Sequence, residues 1–72
     1  MKTAASLKKG EKGIIERFLD EALSAKCLEM GCLPGYPVKL IRKAPFGCPL
    51  YFKIGKNYLA LREEEALNVV LK

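Results

Sequence analysis

Turn-forming residues punctuate this chain at intervals too short for anything but brief strands and, in one stretch, a helix. Gly10-Glu11-Lys12-Gly13, the run from Gly31 to Gly35, Pro45-Phe46-Gly47-Cys48-Pro49 and Gly55-Lys56-Asn57 are all turn signals. With 72 residues there is room for one domain, near the lower end of what folds without covalent staples. Half of the residues are apolar, so a core can form, but every strand must contribute a face to it.

Between the turns the patterns differ. Ile14-Ile15-Glu16-Arg17-Phe18-Leu19 is β-branched and aromatic, and its two adjacent apolar pairs require a bulge or strong bend in a strand. Asp20 suits an N-cap for a helix over Glu21 to Met30, with Leu23, Cys27 and Met30 on one face and Gly31 as the residue that ends it. A second strand, Tyr36 to Ala44, alternates with Val38 and Leu40 inward and Lys39 and Lys43 outward. The next turns Leu50, Phe52 and Ile54 to one face, and Tyr58 to Arg62 points Leu59 and Leu61 the same way. Glu63-Glu64-Glu65-Ala66 fits a single helical turn, its acids at the positive end of the dipole. Leu67, Val69 and Leu71 form the inward face of a last strand. Residues 1–6 read as a flexible N-terminal tail, and residues 7–72 as a single domain. The sum is a mainly β fold: a small, partly open barrel of about five strands with one α-helix inserted after the first.

Composition then removes whole classes of function. Histidine is absent, which takes away the commonest general base and metal ligand. Three cysteines cannot all pair within the chain, and no secretion-signal pattern opens it, so free thiols in a reducing cytoplasm are expected. Cys27, Cys32 and Cys48 follow no zinc spacing and read as packing residues or an exposed thiol, not as a metal site. A nucleophilic cysteine would need a base that is missing, and the Gly-rich Lys-Ser/Thr loop of nucleotide binding is missing too. No catalytic residue and no cofactor are expected. The net charge of +5 reads as diffuse and solubilising, with Lys39, Arg42 and Lys43 its densest stretch.

Three segments carry a family likeness. Lys26-Cys27-Leu28-Glu29-Met30-Gly31-Cys32-Leu33-Pro34-Gly35 resembles the helix-end signature of the FeoA family of ferrous iron transport proteins. Ala44-Pro45-Phe46-Gly47-Cys48-Pro49 is similar to that family's Ala-Pro-x-Gly-Asp-Pro hairpin. Gly55 to Ala66 resembles its Gly-x-x-x-Leu-Ala-Leu-Arg-x-x-Glu-Ala segment. The resemblance implies an SH3-like barrel that serves as a cytoplasmic accessory to FeoB, a membrane Fe²⁺ transporter with a cytoplasmic GTP-binding domain. It also implies recruitment to the inner face of the membrane by that partner. A similar barrel forms the C-terminal domain of iron-dependent repressors, which leaves as a further alternative a stand-alone fragment resembling that domain, since the chain shows no helix-turn-helix segment. Cys27 and Cys32 depart from the family's aliphatic residues or Met, and Cys48 stands in place of the hairpin Asp, which removes an acceptor and a charge.

The surface residues expected to meet a partner are Met30, Cys32, Leu33 and Pro34 at the helix end, Pro45, Phe46 and Cys48 in the hairpin, and Arg62. Leu33 and Phe46 are large apolar groups in turns, and either tuck back over the barrel end or present an anchor. Two rival functions remain. One is a nucleic-acid-binding barrel using Lys39, Arg42, Lys43 and Lys53, with Tyr51 and Tyr58 as its few stacking rings. The other is weak self-association, metal-bridged through Cys48 or Cys32.

Overall fold

The computed structural model describes residues 2–72; Met1, part of the predicted tail, lies outside the described residues. Five antiparallel strands make one sheet: β1 (Lys12–Phe18), β2 (Pro37–Lys43), β3 (Leu50–Ile54), β4 (Asn57–Leu61) and β5 (Val69–Leu71). Their spatial order is β4-β3-β2-β1-β5, so the first and last in that row are its edges. Two helices interrupt them, α1 (Glu21–Glu29) and the single turn α2 (Glu63–Ala66). One cluster of buried side chains fills the interior, with Phe52 its largest member.

The strict alternation of β3 makes its inner face: Leu50, Phe52 and Ile54 are buried, and they pair across to Leu61, Leu59 and Asn57. In β1 the doublet Ile14-Ile15 resolves as expected. Plain alternation buries Ile15 and leaves Ile14 partly exposed, and the register shift against β5 between Ile15 and Arg17 lets Phe18 pack on the core as well. The strand starts earlier than its apolar run because Gly13 continues the ladder opposite Val38. A Cβ on Gly13 would lie 2.7 Å from Leu71 Cδ1, so the missing side chain lets β5 pack close.

A second register shift falls in β2, between Leu40 and Arg42. It overturns part of the predicted alternation. Arg42 pairs with outward Tyr51, whereas Lys43 pairs with buried Leu50 and sits at the barrel rim. In α1 the Asp20 carboxylate accepts from the Ala22 N–H at 3.1 Å, and Gly31 follows the C-cap at φ +80°. The buried stripe is narrower than predicted: Leu23 and Cys27 are inside, Met30 is not.

Two expectations fail at the ends of the chain. Leu67 is exposed because it closes α2 and does not belong to β5, whose three residues are all buried. The described part of the predicted loose tail is ordered. Thr3 bridges to Val70, the Leu71 N–H donates to the Lys2 carbonyl at 2.8 Å, and Ala4 begins a 3₁₀ turn inside the core. The physical reason is the outer edge of β5: its backbone groups and Val70 need a cover, and residues 2–4 supply it.

Candidate functional site

The loop after α1 is built by two turns and one cross-link. The Cys32 N–H donates to the Cys27 carbonyl, the Tyr36 N–H to the Leu33 carbonyl, and Asn57 Nδ2 reaches back from β4 to the Met30 carbonyl at 2.6 Å. Cys32 is thereby turned inward and is fully buried beside Cys27, which removes it from the surface candidates. Met30, Leu33 and Tyr36 are left partly exposed along the same loop, Leu33 at 37 %. Pro34 is exposed as well.

The hairpin between β2 and β3 resolves the other anchor. Its Ala44 N–H donates to the Pro49 carbonyl and its Gly47 N–H to the Ala44 carbonyl, which throws Phe46 out at the tip. Phe46 is 99 % exposed and does not tuck back. Cys48 does not simply delete an acceptor, as its replacement of Asp implies. Its Sγ takes the Glu63 N–H at the start of α2 at 3.3 Å, as a weaker, uncharged substitute. Exposed Arg62 lines a hollow there with Cys48, Pro49 and Glu64. The Glu65 carboxylate accepts from the Arg62 N–H at 3.0 Å and faces Lys26 of α1 at 3.4 Å; the backbone bond, then Lys26, hold it below the usual carboxylate range.

These two loops do not share one patch. The helix-end loop leads into Pro37 at the start of β2, and the hairpin leaves from Lys43 at its end. Seven extended residues separate them, up to roughly 20 Å at ~3.3 Å per residue. Nor are the three thiols brought together. Cys27 and Cys32 are neighbours in the core, Cys48 is exposed at the hairpin, and among the described residues no three of Cys, Asp and Glu gather as a metal cluster would require. Burial, with Cys32 as the second cause, pushes the Cys27 thiol up to about 11, far from the thiolate a metal needs.

One surface was foreseen only in part: Lys39, Lys53 and Tyr58 belong to the basic face considered for nucleic acid, but their alignment with Lys12 was not expected. Lys12, Lys39 and Lys53 stand directly opposite one another across β1, β2 and β3, and Tyr58 of β4 continues the row. The lysines line a shallow groove of about 220 Å³ with Pro37, Val38 and Gly55. The charge is therefore not diffuse. Residues 30–62 contain six basic residues and no acid, while the rest of the chain carries seven basic and eight acidic. That acid-free run was readable in the sequence; the register that lines up its lysines with Lys12 was not.

With the fold and surfaces in place, the profile of the FeoA domain matches residues 2–72. The chain belongs to the FeoA family. It therefore belongs to a family of ferrous iron transport, as the three segments implied. Among solved structures, the FeoA protein of Chlorobium tepidum superposes with a TM-score of 0.91 at 22 % identity, covering 97 % of this chain and 68 % of that one. The zinc complex of Stenotrophomonas maltophilia FeoA, described as an SH3 domain protein, superposes at 0.85 with 28 % identity, covering 100 % and 91 %. The barrel is thus SH3-like. A manganese-dependent transcriptional repressor shares the fold at a TM-score of 0.81 and 15 % identity, and the chain covers 99 % of itself but only 41 % of that protein. None of the curated proteins compared with the chain matches it. Among the described residues no helix is long and apolar enough to cross a membrane.

Proposed function

We propose that this FeoA-family chain acts by binding and not by chemistry, as a cytoplasmic accessory that docks on the cytoplasmic part of a FeoB-type Fe²⁺ transporter. The observation that carries this reading is Phe46. An aromatic ring held in water at a hairpin tip costs solubility and contributes nothing to the core, whereas burial against a partner returns ~1.5–3 kcal/mol. Proline on each side of the tip and the Gly47 turn hold it in place, so little conformational freedom is lost on binding.

Leu33, with Met30 and Tyr36, supplies a second apolar contact from the other end of β2. Two anchors that far apart suit a partner that spans the barrel's length, and a partner held at both ends senses its own shape. Preferring one conformation of the transporter, the chain would shift its population toward that state. The family relative from Stenotrophomonas maltophilia is itself put forward as a ferrous iron transport activating factor, which fits such a bias.

Capture of the transporter's cytoplasmic part by the purified chain tests the reading. Phe46→Glu should weaken capture at least tenfold, and Leu33→Glu should weaken it further when combined. Both positions are exposed, so the variants should unfold at the same denaturant concentration as the parent within about 0.5 kcal/mol. Undiminished capture by a folded double variant would remove both loops from the account.

A further inference from the structure

We propose that the outer face of β1–β2–β3 is a docking surface for an anionic phospholipid bilayer, centred on the row Lys12, Lys39 and Lys53. Directly opposed like charges on neighbouring strands repel, and strands lie only ~4.8 Å apart. A row of three is therefore a cost the fold carries, relieved in part by the Tyr58 ring beside the Lys53 ammonium but, among the described residues, by no ion pair. Among the described residues the ion pairs are Lys2–Glu11, Arg17–Glu16 and Lys26–Glu65, none of which includes a member of the row. Glu11, the acid next to Lys12, is turned to the Lys8 N–H at 2.8 Å and to Lys2. Arg42, on the same outer face through its pairing with Tyr51, adds a fourth cation.

The chemistry of the face selects a membrane over nucleic acid. Strand-tracking barrels stack successive bases on free aromatic rings. Here the Tyr51 ring lies under the Arg42 guanidinium at 4.8 Å, which leaves Tyr58 as the one well-exposed ring on the face, with the Lys53 ammonium 5.8 Å from its centre. Lysines are compact point charges that suit a diffuse sheet of phosphate headgroups better than bidentate readout. Their apolar stems and a tyrosine at the rim also match the amphipathic zone at a bilayer surface. The attachment needs no transporter, so it stands or falls separately from the docking loops.

Sedimentation of the full chain with vesicles of phosphatidylcholine alone, and with an equal mixture of phosphatidylcholine and phosphatidylglycerol, tests this. The chain should bind only the anionic vesicles, and weakly once salt rises from about 0.05 to about 0.3 M. Replacing Lys12, Lys39 and Lys53 together by Gln should weaken binding about a hundredfold, since each cation near the surface contributes roughly fivefold. Replacing Lys8, Lys9 and Lys72 by Gln removes the same charge elsewhere and should cost far less. The row variant should melt no lower than the parent, because the substitutions relieve repulsion. Equal losses in both triple variants, binding to neutral vesicles, or tight binding of single-stranded DNA with no binding to anionic vesicles would each overturn the proposal.

Discussion

Raising the pH from about 8 to about 10 probes the burial of Cys27. Its thiol is pushed from an ordinary 9.0 up to about 11, first by desolvation and second by Cys32 alongside, against a small opposing pull from Lys26. The folded chain thus keeps a proton that the unfolded chain releases. The contribution to stability is complete below about pH 9 and is lost progressively as pH rises through about 11. Between the two chosen values the loss from Cys27 alone comes to about 1 kcal/mol, for a domain whose whole stability is of order 4–11 kcal/mol. Cys32, also raised by burial, adds a loss in the same direction. Tyrosines and lysines titrate over the same span, so the informative quantity is the difference between the parent and Cys27→Ala. Urea unfolding at both pH values should show the parent losing about 1 kcal/mol more than the variant. Parallel pH dependences would mean that the thiol is solvated and that the packing of α1 on the barrel is not as described.

Further expectations follow from single contacts. Phe52→Ala should cost 3–5 kcal/mol by typical large-to-small values and leave little folded chain at room temperature, measured by circular dichroism. Asn57→Ala removes the amide that holds the Met30 carbonyl and should cost about 1 kcal/mol, with faster amide exchange confined to the loop after α1. Native labelling with a thiol reagent should modify Cys48 at once and Cys27 and Cys32 only as fast as the chain opens.

Where a residue's fate depended on its immediate neighbours, it could be read in advance. The alternation of Leu50, Phe52 and Ile54 has a single interpretation, and Ile15 and Phe18, three residues apart, can share one face of a strand only across a bulge. Phe46 was legible as an exposed anchor or a folded-back lid, and only three-dimensional packing could choose between them. Failures came from partners distant in sequence. Nothing in Lys2-Thr3-Ala4 announces that it will cover Val70, whereas the bulge at Ile41 does fall on an apolar doublet, Leu40-Ile41, that strict alternation leaves unexplained. The lysine row was foreseen without Lys12, and without its alignment, for the same reason. Register aligns Lys12, Lys39 and Lys53, and register is set by turns and pairing that no local pattern displays.

The bond between the Lys2 carbonyl and the Leu71 N–H has an architectural consequence. It makes the two extremities of the domain a single seam, so a short peptide could stitch them together and the backbone could be reopened elsewhere, for instance beside Gly47. Such a rewired ring would keep every strand in its place while releasing the proposed anchor at the hairpin from one of its tethers. It would separate what the barrel needs from what the hairpin does, without changing a single side chain.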